Sequence, residues 1–149
     1  MVGLAPPAST AAAGQVLVVV AAPTTPTAGE SAVRARLAGA GYTVVLADDD
    51  TVTAGQAAGS AFVLVAQSSS SNAPAVKALA GVAIPVWVAK PYLFDDFGLT
   101  LGAASTDYGD KPGSALTISD PTHPMAAGRT GTVTIQAGGR VAWGRPAPA

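Results

Sequence analysis

The sequence predicts an α/β protein: a three-layer sandwich with a mainly parallel sheet and a β-rich C-terminal hairpin. Three observations carry that expectation. Val16–Val20, Tyr42–Ala47, Ala61–Ala66 and Ile84–Ala89 are apolar at consecutive positions, the pattern of strands buried on both faces beneath helices. The stretches between them hold helix start signals rather than hairpin turns. Beyond residue 114 the pattern changes to apolar–polar alternation broken by Gly and Pro, which suits antiparallel strands.

The elements follow in order. After the first strand, Pro23 and Pro26 fix a loop, and Thr27 with Glu30 has capping-box spacing. The helix it opens places Val33 and Leu37 four apart on the sheet-facing side, and Gly39 and Gly41 offer a stop. The second strand ends in Asp48, Asp49 and Asp50, expected as a solvated turn that caps a short helix over 52–58. The third strand runs into Ser68–Ser71, after which Asn72 is expected to cap a helix with Pro74 in its first turn. The fourth leads into Lys90–Leu99, the densest group of aromatic and acidic side chains. Ala115–Ile118 then precedes a Pro-framed turn at Asp120–Pro124, and 132–136 with 140–143 alternate around Gly138 and Gly139 as a hairpin. The sum is a flavodoxin-like core over 15–145, with an extended arm at 1–14 and a short tail at 146–149.

Composition narrows the function classes. Charged residues are 11% of the 149, less than half the ~25% usual for soluble domains. Such a chain suits an assembly or an extracellular setting, although codon bias toward Ala and Gly gives the same composition. A net charge of −1 offers no basic face, so nucleic acid is not an expected partner. No Cys is present, which removes disulfides and thiolate metal sites. Residues 1–14 carry no Lys or Arg and no apolar run, so a signal peptide is not expected. The run Val16–Ala22 falls far short of the ~20 residues a membrane helix needs, so no insertion is expected.

Ligands on such sheets sit at the carboxyl ends of strands, where strand order reverses. That directs attention to the loops at 21–29, 48–51, 67–72 and 90–97. Thr24, Thr25 and Thr27 have hydroxyls for a phosphate, but Pro23 and Pro26 remove backbone donors, so neither flavin nor phosphate is expected. The first loop lacks G-x-G-x-x-G, which rejects a dinucleotide. The acids at 48–50 are consecutive rather than spaced for Ca²⁺, and no metal or other cofactor is expected. Ser68–Ser71 meet a helix where a nucleophile could stand, with His123 as the sole base and Asp107, Asp110 or Asp120 to orient it. The loop has no glycine for a nucleophile elbow, and His123 is framed by prolines at 121 and 124. Lys90, Tyr92, Phe94, Asp95, Asp96 and Phe97, with His123, are the candidate binding residues; the aromatics would wall a pocket and the acids accept from hydroxyls. The structural alternative places those aromatics in the core.

The segments Ile84–Leu99, Thr106–Gly109 and Asp120–Gly128, with Trp143-Gly144, resemble a little-characterised bacterial domain found in secreted multidomain proteins. That domain is similar to the ThuA-like and class I glutamine amidotransferase-like folds. The turn D-P-x-H-P-x-A-x-G is the most specific element of the likeness, which spans about 15–145. The resemblance implies a flavodoxin-like sheet and, in catalytic members, a Cys–His–acid triad. This chain has no Cys, so no catalytic residue carries over. Where relatives carry an acid, Lys90 stands here, which departs from any shared ligand chemistry.

The expectation is therefore a non-enzymatic module, an accessory or decorating subunit bound to protein subunits of a larger assembly such as a phage virion or a cell surface. A carbohydrate-binding domain using Tyr92, Phe94, Asp95, Asp96 and Trp87 is the alternative, with a glycan as partner. It requires an exposed aromatic at the carboxyl edge of the sheet. A degenerate Ser–His hydrolase is the third reading, and requires a serine of 68–71 within reach of His123.

Overall fold

The structure, a computed structural model, describes residues 14–147. The expected arm, but for Gly14, and the last two residues of the tail lie outside the described residues. Strands β1 (Gln15–Val20), β2 (Thr43–Asp48), β3 (Ser60–Val65) and β4 (Val86–Val88) form one parallel sheet in the order β2-β1-β3-β4. The predicted fold class is the observed one. Residues Val16 to Val20 are all buried, because β1 has a strand on either side and side chains packed on both faces. The fourth strand is shorter than its apolar run. Pro85 has no N–H to give, so it contributes only its carbonyl, which accepts from Val63 N–H at 2.9 Å.

Helices α1 (Ala28–Gly39), α2 (Ala54–Ala57) and α3 (Pro74–Lys77) occupy the crossovers. The capping box at α1 is present: Thr27 N–H donates to Glu30 at 2.7 Å, and Glu30 N–H donates to Thr27 Oγ1 at 3.2 Å. The aspartates do not cap α2. Thr53 does, in a second box with Gln56, while Asp49 is buried and accepts from Ser70 N–H. Nor does Asn72 cap α3. Its N–H is drawn to Ser70 Oγ at 3.2 Å, and the cap position falls on Ala73, with Pro74 opening the helix as expected. No helix among the described residues is long and apolar enough to cross a membrane.

The two faces of the sheet are unequally covered. On one, Leu17, Val19, Val63, Val65 and Val88 pack against Val52, Ala57, Val76, Leu79 and Leu93 from α2, α3 and the adjoining turns. On the other, Val16, Val18 and Val20 meet Leu37, Tyr42, Phe62 and Leu64. The helix on that face, α1, buries none of its residues fully. Val33, expected to face the sheet, is 38% exposed. Its sequence explains this: Val33 and Leu37 are its only large apolar side chains, a stripe too narrow to roof four strands.

The C-terminal part is antiparallel, but its pairing differs from the expected hairpin around Gly138-Gly139. Strand β5 (Tyr108–Pro112) pairs with β8 (Arg140–Gly144), and β6 (Ala115–Ile118) pairs with β7 (Gly131–Thr134), one ladder nested within the other. The chain changes ladder at 135–139 because Ser114 O receives both Ile135 N–H and Gln136 N–H, and Gln136 Nε2 holds Gly113 O at 2.8 Å. Pro146 bridges Thr100, and Ala147 N–H donates to Leu99 O at 3.1 Å, which returns the chain end to the body.

Candidate functional site

The strand order reverses between β1 and β3, and the loops that follow these two strands meet there. The crevice is stitched by serines. Ser69 Oγ donates to Val19 O at 3.1 Å, Ser68 Oγ donates to the Glu30 carboxylate, and Ala21 N–H donates to Ser68 Oγ at 3.2 Å. Burial opposes ionisation of Glu30, but the hydrogen bonds from Ser68 and Thr27 outweigh it and hold its carboxyl below the usual range. Thr27 of the Thr-rich loop is committed to the cap: its N–H donates to Glu30 and its Oγ1 accepts Glu30 N–H.

Beside this seam lies an open groove of about 580 Å³, on the thinly covered face between α1 and β4. Val18, Leu64 and Ala66 form its floor, Val33 and Glu30 of α1 one wall, and Trp87 of β4 the other. Trp87 is 62% exposed. It stands opposite Leu64 in the β3–β4 register, while its neighbour Val88 points to the helix-covered face. Strand alternation thus puts one large aromatic on the uncovered side of an edge strand. Glu30 is the groove's one ionisable group.

The sequence-predicted candidates do not converge on that groove. Lys90 Nζ donates to Gln67 O at 3.3 Å, near its end. Phe94 and Phe97 pack against the covered core. Asp96 pairs with Lys77 at 3.0 Å, and Asp95 Oδ1 is buried without a partner among the described residues. Tyr92 donates to Asp110 Oδ1 at 3.1 Å and meets Tyr108 edge-on, with ring centroids 6.1 Å apart. It lines a separate polar cleft with Asp110, Trp143 and Arg145. His123 is exposed on its own turn, where Nδ1 accepts Met125 N–H at 3.2 Å. Of the serines in the hydrolase reading, Ser68 Oγ donates to Glu30, Ser69 Oγ donates to Val19 O, and Ser70 Oγ accepts from Asn72 N–H. Asp48, Asp49 and Asp50 bring carboxylate oxygens within 4.8 Å of one another. Asp48 and Asp49 direct theirs to Asp50 N–H and Ser70 N–H, as turn and loop ties.

Asp110 of the Tyr92 cleft is paired with Arg140. Arg140 Nε donates to Asp110 Oδ2 and its Nη2 to Asp110 O at 2.9 Å. The Arg140 hydrogen bond, joined by that from Tyr92, holds Asp110 below the usual aspartate value of 3.8, and Asp110 in turn raises the Tyr92 phenol. A carboxyl depressed on folding stabilises the folded state above its unfolded pKa, and that contribution fades as pH falls through the folded value. Wild type is thus expected to exceed Asp110→Asn in stability at neutral pH, with the gap closing below roughly pH 4. Urea midpoints across that range measure it; a gap that stays constant with pH would contradict the pairing.

No protein-family model, curated protein or solved structure matches the chain. Of the groove, sequence reasoning names only Trp87, in the carbohydrate alternative, and misses the α1 wall and the floor. Its signals were present in the poverty of large apolar residues in α1 and in Trp87 alternating against Val86 and Val88.

Proposed function

We propose that the chain is a non-catalytic structural or interaction module, an accessory subunit of a larger assembly such as a virion or cell-surface structure, held there through the open half of its sheet. The single observation that carries this reading is Trp87, 62% exposed on a parallel-sheet face. Parallel sheets are ordinarily covered on both faces, and an uncovered apolar strip beside an edge strand is a surface for a partner. The amidotransferase-like ancestry suggested by the Asp120–Gly128 turn belongs to the same proposal. The test is the mass of the native complex carrying this chain, wild type against Trp87→Ser. A large complex that loses the variant supports the reading; a native species of a single chain's mass overturns it.

Carbohydrate binding is the second reading, favoured by the same indole, which offers a stacking face next to the Gln67 and Ser68 polar groups. Glycan-array binding abolished in Trp87→Ala would favour it over the first.

A further inference from the structure

We propose that the polar cleft beside Tyr92 binds an acidic saccharide, a short chain of sugar rings that bear carboxylates. The cleft measures about 490 Å³ and shares no lining residue with the groove under α1. Strand pairing builds it. In an antiparallel ladder, residues opposite each other share a face, as do residues two apart. Gly109 stands opposite Trp143, and Lys111 opposite Val141. Arg145 N–H donates to Asp107 O at 2.7 Å, which carries the register one residue past β8. Lys111, Trp143 and Arg145 therefore share one face of the β5–β8 ladder, with the indole between the two cations. Gly109 is buried beneath that indole, where a Cβ would come within 3.4 Å of Cζ2 and Nε1. The half-buried ring thus lies against backbone on one side and lines the cleft, a platform for the apolar face of a sugar.

The balance of donors and acceptors sets the charge of the ligand. The acceptors at the cleft are engaged. Asp110 Oδ1 accepts from Tyr92, Oδ2 from Arg140 Nε, and the main-chain O from Arg140 Nη2. Asp107, opposite Arg145, turns Oδ2 to Ala103 N–H at 3.1 Å. The donors are open. Lys111 and Arg145 have no ionic partner among the described residues. Their side chains, Trp143 Nε1–H and the Ser105 hydroxyl make no hydrogen bond there either. Ser105 reaches the cleft from a left-handed backbone, φ +64°, anchored by its N–H on Tyr108 O at 2.8 Å. Ammonium, guanidinium and indole N–H groups only donate, so the cleft calls for acceptors. Carboxylates on successive sugar rings meet a cation at each end of the indole, in charge-assisted hydrogen bonds. Sugar hydroxyls accept as readily as they donate, which suits Ser105 and Trp143 Nε1–H. A nucleotide fits less well, because the amino groups of its base only donate and the acceptors here are engaged.

The experiment is titration of the full chain with trigalacturonate, read by calorimetry and by the emission of Trp143 in a Trp87→Phe background, where it is the sole indole. Trigalacturonate is expected to bind, to shift that emission, and to bind less tightly as salt rises. Neutral galactotriose is expected to bind about tenfold more weakly, or not at all. Lys111 and Arg145 are exposed, so Lys111→Gln and Arg145→Gln are expected to fold as wild type does. Each is expected to weaken trigalacturonate binding about tenfold, the effect of one charge-assisted hydrogen bond. Galactotriose bound as tightly as trigalacturonate overturns the inference. So does binding that leaves Trp143 emission unchanged, since the ligand then sits elsewhere. Adenosine monophosphate or inorganic sulfate bound as tightly as trigalacturonate overturns the saccharide, and no binding of trigalacturonate at millimolar concentration overturns the site. Each of these failures leaves the proposed function standing, because cleft and groove have no residue in common.

Discussion

Leu17→Ala is expected to cost about 3 kcal/mol of folding stability. Leu17 is fully buried in the middle of β1, between Val45 of β2 and Val63 of β3, and its side chain joins the cluster under α2 and α3. Removing its isobutyl group loses transfer free energy and leaves a cavity that strands on either side prevent from closing. A domain this size has roughly 5–15 kcal/mol in total, so a large part of it would go. The expected result is a lower urea midpoint with an unchanged m-value. Trp87→Ser makes the informative contrast. Its ring is mostly in solvent, so it is expected to shift stability by less than about 1 kcal/mol while removing association. A Leu17→Ala cost below about 1 kcal/mol would mean that the covered face is not the stabilising core.

That contrast also separates what was legible in the sequence from what was not. The apolar runs reported the strands because burial on both faces leaves no room for polar positions, and Val16–Val20 is the clearest instance. Thr27 with Glu30 reported α1 because the capping box is a local interaction. Long-range choices were not readable. Gly138-Gly139 had the composition of a tight hairpin, yet Ser114 and Gln136 direct the chain from one ladder to the other, and no local rule predicts those partners. The aromatic cluster at 92–97 divides for the same reason. Phe94 and Phe97 turn into the core while Tyr92 turns to Asp110, a division set by neighbours distant in sequence. Trp87 is named among the residues of the carbohydrate alternative, which requires an exposed aromatic; the extent of its exposure follows from α1, whose narrow apolar stripe leaves that part of the face open, and no local rule gives the reach of that helix.

Gly144→Ala is expected to destabilise the chain by about 1–3 kcal/mol, through the seam between the α/β core and the C-terminal strands. A Cβ at position 144 would meet Phe94 Cδ2 and Thr100 Cγ2, each at 2.9 Å, closer than packed carbons approach. Neither neighbour yields readily. Phe94 is packed against the core cluster, and Thr100 is buried, β-branched and bridged to Pro146. Gly144 also pairs with Tyr108 at the end of the β5–β8 ladder, so relief by moving the strand would pull on that pairing. Gly39→Ala is the control, with open space around its Cβ at the end of α1, and is expected to be neutral or slightly stabilising. Urea unfolding measures both, and Tyr108 amide exchange locates the loss. Equal stability of the two variants would show that β8 does not pack on Phe94. A selective loss at Gly144 would establish that the antiparallel β5–β8 ladder is fastened to the sheet domain here, through Phe94 and Thr100.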